Sequence, residues 1–377
     1  MNDHALAVDP VIALNQHLEG GVKRLDFDMD DSPDFIKLEP FPLLHDALEL
    51  LETTVADFWR KVDRDAILYQ TRHRWLAGIA AATGSGAIIL AVVQLALKQS
   101  WPSLTFLAAW LEGLTVLACF VSVLVGLCAK SDRKWLDCRH RAERLRMLKF
   151  KALSRVELWN EEWDQWQAWV KSQIQTLLGS DDPRQVEQWA NDDSAEAEPQ
   201  VSENLLPSHQ HTRRALVVYY RHKRLLYQAA YFELEGKQAA ASWEVKLRRR
   251  RELLFFVTIA FVLFHFAAHS FANHIDKQDH AAAARAWELA SVWGLVVAAG
   301  LPVAAIGVRA WSAAFELARK ARCFEAKRRA LVKAVERLGN GTDELPLTLG
   351  HISHSELFLE QEHREWLRLL LEAEWFL

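Results

Sequence analysis

Four apolar runs constrain this chain more than anything else in it. They are Leu76–Leu97 ("LAGIAAATGSGAIILAVVQLAL"), about Leu104–Ala129 (interrupted once, by Glu112), about Leu253–Ile275 and about Ala286–Val308. Each approaches or exceeds the roughly 20 residues that cross about 30 Å of hydrocarbon as a helix. A backbone in lipid must satisfy its own hydrogen bonds, so single runs of this kind can only be helical. Core helices of a soluble protein are the alternative, and they seldom run this long without a charge. The expected fold class is all-α: an integral membrane protein with four transmembrane helices in two hairpins and long cytoplasmic helical extensions.

The runs are paired. "KQSWPS" joins the first two, with Pro102 forcing a turn, and "DKQDHAAAAR" joins the last two. Basic residues crowd the other ends. Lys61, Arg64, Arg72 and Arg74 precede the first run, and "DRKWLDCRHRAERLRMLKF" (132–150) follows the second. Lys246 and Arg248 to Arg251 precede the third, and Arg309, Arg319, Lys320 and Arg322 follow the fourth. The positive-inside rule places these ends, and both termini, on the cytoplasmic side of the membrane. Trp75, Trp101, Trp135, Trp287 and Trp311 fall near the expected boundaries, as an aromatic belt would. The first seventy residues hold no apolar run, so no cleavable signal peptide is expected.

Along the chain this gives five regions. Residues 1–43 are acidic and loosely structured, 44–178 form a first helical-hairpin unit, and 179–210 form an acidic linker with at most one short helix. Residues 211–338 form a second hairpin unit, and 339–377 form a linker and a last helix with Ser355 as its N-cap. The helices before the first and third runs are expected to continue into them, and the basic stretch to continue the second run. The two units repeat in pattern only, with no residue-level identity.

The basic stretch holds Arg133, Lys134, Arg139, Arg141, Arg144, Arg146 and Lys149. It could grip phosphates of a nucleotide, a lipid headgroup or a nucleic acid. The formal net charge is only −4, so the basicity is local, and no nucleic-acid-binding motif accompanies it; no nucleic acid is expected as a partner. Juxtamembrane topology explains the charge more simply, since every other boundary on that side is also basic. An apolar face through Trp135, Cys138, Ala142, Leu145 and Leu148 marks the stretch as helical.

Three further sets of residues stand out. Trp159, Trp163, Trp166 and Trp169 are spaced to share one helix face; Glu157, Glu161, Glu162 and Asp164 opposite them argue for packing in a bundle or oligomer rather than at a lipid surface. Glu112, His265, His269 and Asn273 lie at membrane depth, where ionisable residues face protein or water. They suit a static contact, such as Glu112 with His265 or His269, or a water-lined ion path. The HxxxH spacing would also suit a metal, though no third ligand is evident. Gly78, Ala82 and Gly86 form a small-residue row that permits close helix approach, within the hairpin or between copies. Pro302 is expected to kink the fourth membrane helix.

No enzyme signature appears: no GxSxG, HExxH, Walker loop or GxGxxG. The four cysteines lack ligand spacing, so neither metal nor cofactor is expected.

The stretch with Trp135, Asp137, Arg139, Ala142, Glu143, Leu145 and Arg146 resembles the element that follows a two-helix membrane hairpin in the SLATT superfamily of bacterial membrane effector domains. The closest likeness is to the four-helix membrane module found after TRPM-like SLOG domains. "YYRHKRLL" and "EWLRLLLEAEWFL" fit the same module, and the likeness covers most of residues 45–377. It implies a homo-oligomeric effector in antiphage defence or a similar conflict system, which permeabilises the membrane on a nucleotide cue. This chain has no Gly-rich SLOG-like domain, so the resemblance implies a separate sensing or signal-producing partner or a ligand at the cytoplasmic helices. A non-conducting scaffold for a soluble partner and a housekeeping channel or transporter are the alternatives.

Overall fold

The computed structural model describes residues 9–14, 16–17, 38–179, 183–191, 210–241, 251–274, 280–315, 317–339 and 344–371. Every regular element among them is helical. In chain order they are α1 (Pro42–Leu51), α2 (Asp57–Ser100), α3 (Pro102–Ala129), α4 (Ser131–Leu153), the single turn α5 (Val156–Trp159), α6 (Trp163–Leu178), α7 (Pro183–Asn191), α8 (Gln210–Tyr220), α9 (Tyr227–Ala241), α10 (Arg251–His274), α11 (Ala281–Phe315), α12 (Leu317–Leu338) and α13 (Leu345–Leu371). A π-helical turn, Glu52–Ala56, joins α1 to α2, and another, Arg221–Leu226, joins α8 to α9.

The chain forms two compact units. Unit 1 comprises Met1–Tyr69, Asp132–Gly236 and Arg322–Glu374; unit 2 comprises chiefly Gln70–Ser131 and Lys237–Ala321. The division cuts across the two hairpin units read along the chain. It gathers the apolar runs in one body and the charged helices that flank them in the other.

Unit 2 holds four helical stretches long and apolar enough to cross a membrane, within Pro42–Ser100, Pro102–Ala129, Phe255–His274 and Ala281–Arg309. Little of their apolar surface is covered: 17%, 6%, 11% and 22% of the apolar windows is buried, in that order. Phe106, Trp110, Leu114, Leu117 and Phe120 of α3 are all exposed. Apolar surface on this scale is unfavourable in water.

The breaks between helices have local causes. At Trp101 the backbone leaves the helix for one residue (φ −143°, ψ 79°) and Pro102 starts α3. Proline cannot donate a helical hydrogen bond but fits the first turn, where none is needed. The expected run of α3 into the basic stretch is interrupted. Lys130 takes the left-handed conformation (φ 47°, ψ 41°), its N–H bonding to the Gly126 carbonyl, and α4 begins afresh at Ser131. That conformation costs a residue with a Cβ about 1–2 kcal/mol. The expected continuity of the first cytoplasmic helix holds: α1, the π turn and α2 run without a break to Ser100. Continuity from α9 to α10 falls at 242–250, outside the described residues, as do most of 1–43 and of the 179–210 linker, whose one described helix is α7.

Two other expectations are corrected. The four tryptophans do not share one helix, because Glu161 also turns left-handed (φ 61°) and separates α5 from α6. Ser355 is not an N-cap: α13 begins ten residues earlier with Pro346 in its first turn, and the Ser355 hydroxyl bonds back to the His351 carbonyl. Pro302 lies inside α11, where proline is tolerated at the loss of one hydrogen bond.

The row Gly78, Ala82 and Gly86 is not one close-packed face. Gly78 is buried, but Ala82 is exposed, and a Cβ on Gly86 would meet nothing within 4 Å. Other close approaches fall on the neighbouring face of α2. A Cβ on Gly84 would come within 3.3 Å of Cys119 Sγ on α3, and Gly307 of α11 lies directly against Ser85. On the other side of α11, a Cβ on Gly294 would sit 3.0 Å from the Phe264 ring of α10.

Unit 1 is organised around α8 and its π turn. Ala215 to Tyr220 and His222 to Leu225 are buried on every side. Leu44, Leu48 and Val55, Leu145, Leu148 and Phe150, and Leu349, Ile352 and Leu359 belong to the same core. Trp159 and Trp166 sit in it too, and both indoles serve the end of α4. Trp159 Nε1 donates to the Leu153 carbonyl at 3.0 Å, and Trp166 Nε1 to the Ala152 carbonyl at 2.8 Å. The last carbonyls of a helix have no partner within it; the Leu153 carbonyl is met by Trp159, and the Ala152 carbonyl by Trp166 together with a longer bond from the Arg155 N–H. Replacing Trp166 by Phe keeps the ring and removes the donor. The expected loss is about 1–3 kcal/mol, read as a lower denaturant midpoint with unchanged helix content.

Candidate functional site

Unit 1 concentrates charge in its interior, and α4 carries most of it. Glu143 pairs with Arg139 and, at 2.8 Å, with Arg146. Arg139 also reaches Asp63 of α2 at 3.3 Å, and Arg146 lies 5.3 Å from the centre of the Trp59 ring. Burial pushes the Glu143 carboxyl up, but the two guanidiniums overcome this and hold it below the usual carboxylate range. Arg141 pairs with Asp137 at 3.0 Å along the same helix. Lys149 is buried between the Phe150 and Tyr219 rings, 5.5 Å from each. Trp135 is buried edge-on against Trp366. Of the seven cations in the stretch only Arg133 and Lys134 are exposed, and Lys134 lies over the Tyr69 ring. The charge that suggested a phosphate grip is thus largely engaged inside the chain.

The most enclosed pair lies deeper. Arg224 grips Glu356 through two hydrogen bonds of 2.9 Å, and both side chains are at most 2% exposed. The Tyr220 hydroxyl donates to the same carboxylate at 2.8 Å, and the guanidinium stacks 5.1 Å from Phe150. One turn on, Glu360 accepts from Lys151 and Arg364, each at 2.7 Å. Burial would raise the Glu360 carboxyl, and Lys151 chiefly reverses this, so it too titrates below its ordinary range.

Next to these pairs two histidines meet. His140 Nδ1 and His363 Nε2 are 3.2 Å apart, with the rings nearly parallel at 6°. One must donate and the other accept, so the accepting ring is neutral. Burial, the neighbouring His363 and the arginines lower His140 to about 2. Burial lowers His363 to about 3, with Glu143 opposing. The Trp189 ring of α7 covers both, 4.6 Å from His140 and 5.5 Å from His363.

In unit 2 the polar groups of the apolar helices separate. His265 Nδ1 donates to the Ser291 carbonyl of α11 at 2.8 Å. Asn273 donates to His269 along α10 at 3.2 Å, and both are exposed. Glu112 is half-buried and makes no ion pair or side-chain hydrogen bond among the described residues. It does not share a depth with His265. Trp101 packs on Trp293, and Gly307 lies against Ser85, which fixes α2, α3 and α11 in register. His265 stands beside Ser291, close to Trp293 along α11. Glu112, eleven residues on from Trp101, is on the order of 15 Å further along at 1.5 Å per residue. The expected contact of Glu112 with His265 or His269 is therefore replaced by one between His265 and Ser291. Three metal-ligating side chains come together, among the described residues, only at the surface group His45, Asp46 and Glu49.

Sequence reasoning did not single out Arg224, Glu356, Glu360, His140, His363 or Trp189. A signal existed. In α13 the apolar stripe Leu345, Leu349, Ile352, Leu359, Leu367 and Leu370 is interrupted in phase by Glu356 and His363, which marks them as buried. Comparison with protein-family models, curated proteins and solved structures finds no match to this chain.

Removing one member of a buried pair strands the other, at a cost of about 3–5 kcal/mol. Glu356→Leu is expected to destabilise unit 1 by that amount in denaturant unfolding. Adding Arg224→Met to it should restore most of the loss.

Proposed function

We propose that the chain is a bacterial inner-membrane effector, whose copies associate in the membrane and permeabilise it when a cytoplasmic cue reaches unit 1. Glu112 carries the reading. It sits ten residues into α3, the least covered of the four apolar helices, with no ionic partner among the described residues. A charge at mid-membrane costs about 3 kcal/mol even by the milder scales, so such residues face water or protein. Water held between copies, or a group from a neighbouring copy, would relieve that cost. The basic flanks favour a cytoplasmic unit 1, and the resemblance of the Trp135–Arg146 stretch to SLATT modules supports the same reading. The two hairpins, the homo-oligomer and the separate signal-producing partner belong to this proposal.

A non-conducting scaffold is the second reading. The in-chain bond of His265 to Ser291 favours it, since a satisfied polar group needs no water path.

Overproduction in bacteria stained with a potential-sensitive dye separates the two. The effector should depolarise the cells, and Glu112→Leu, at matched membrane abundance, should reduce the rate at least tenfold. Intact potential with the wild-type protein, or equal rates for the two proteins, would overturn the effector reading.

A further inference from the structure

The helix α7 is nine residues long, and the chain on either side of it (180–182 and 192–209) lies outside the described residues. It is seated by few contacts of an unusual kind. Trp189 enters a slot whose floor is the His140–His363 pair. Arg144 of α4 and Arg364 of α13 stack on the Trp189 ring, 4.9 and 4.6 Å from its centre. Arg368 Nε donates to the Ala190 carbonyl at 2.6 Å, at the end of α7, where a cation is favoured. Val186 and Ala190 pack on Leu367. The floor continues into Trp366, stacked 5.5 Å from His363.

Arg139, Arg141 and Arg144 face the histidines from α4, Arg364 from α13 and Lys327 from α12, with Glu143 beside them. Most of these cations are themselves paired: Arg139 with Glu143 and Asp63, Arg141 with Asp137, Arg364 with Glu360 and Lys327 with Glu362. Burial disfavours a charge on either ring, and a proton on the accepting nitrogen would also break their mutual hydrogen bond. From α7 the Trp189 indole covers the pair.

We propose that α7 is an acid-released latch, seated on the His140–His363 pair and freed when those histidines take up protons. The mechanism is a linkage. With α7 lifted, the rings meet water and their affinity for protons rises toward the ordinary histidine value of about 6.5, which the arginines that remain beside them keep as an upper limit. With α7 seated, they stay neutral far below that. The seated form is therefore fully favoured above about pH 6.5 and loses ground as the pH falls. Each histidine contributes up to a tenfold change in the opening equilibrium per pH unit. From about pH 7.5 to about pH 5.5 the pair should raise opening by up to about 100-fold, and one histidine alone by up to about tenfold. The latch does not depend on the membrane reading, since every group in it belongs to unit 1.

Hydrogen–deuterium exchange on the full chain in detergent tests this, with α6 as reference in the same sample, because intrinsic exchange also varies with pH. The protection of α7 relative to α6 should fall by up to about 100-fold over that range in the wild-type protein. It should fall less, by up to about tenfold, in His140→Gln or His363→Gln, and stay flat in the double variant. A wild-type ratio that does not change with pH, or a pH dependence that survives in the double variant, would overturn the proposal. If the double variant loses protection in α6 as well, the wild-type ratio and the single variants decide.

Discussion

A guanidinium or ammonium group inside a protein must be met by a carboxylate, a carbonyl or an aromatic face, and unit 1 is built to satisfy that condition for α4. Arg139, Arg146 and Lys149 enter the interior on one helix. Asp63 comes from α2 and Trp59 from its first turn, while Glu143 stands between the two arginines. The rings for Lys149 come from α4 itself and from α8. Each partner fixes the helix that bears it, so α2, α8 and α13 are placed by charge as well as by apolar burial. Pairs this enclosed add little net stability over apolar residues of the same size, but they tolerate few alternative arrangements.

Much of this architecture was legible in the sequence and some of it was not, for reasons that differ by residue. The four apolar stretches, the turn at Pro102 and the helical extension before the first run all follow from hydropathy and from proline's missing donor. Lys130 and Glu161 were not legible, because a left-handed residue with a side chain is set by tertiary context and carries no compositional mark. Ser355 misled because a good capping residue can also bond back within a helix. The buried carboxylates and histidines of α13 were visible as polar residues in an apolar phase, but their partners lie 130 and more residues away, beyond what local pattern reports. For Glu112 and His265, counting residues from each helix end gave similar depths, yet the ends are not level, as Trp101 against Trp293 makes plain.

The two units obey different physical rules. In unit 1 polar groups are numerous and matched, and water at the rim sets the reference for every ion pair. In unit 2 apolar side chains face outward all round α3, helices meet through Gly84, Gly294 and Gly307, and the polar contacts described are single hydrogen bonds. Close backbone approach takes the place of side-chain interdigitation there, as is common where no hydrophobic force acts between helices.

The two π turns have a consequence for how such a chain can vary. A π turn holds one residue more than an α turn, so residues beyond Ala56 and beyond Leu226 are rotated by about 100° from where an unbroken α-helix would put them. An insertion or deletion of one residue in a packed helix usually turns its buried face outward. Here each long helix already contains a place where such a change is absorbed, which separates the phase of its core-packed half from that of the half that follows. Length changes at Glu52–Ala56 and Arg221–Leu226 are therefore changes of helical face rather than of fold, and they leave the packing on the far side of each turn to vary on its own.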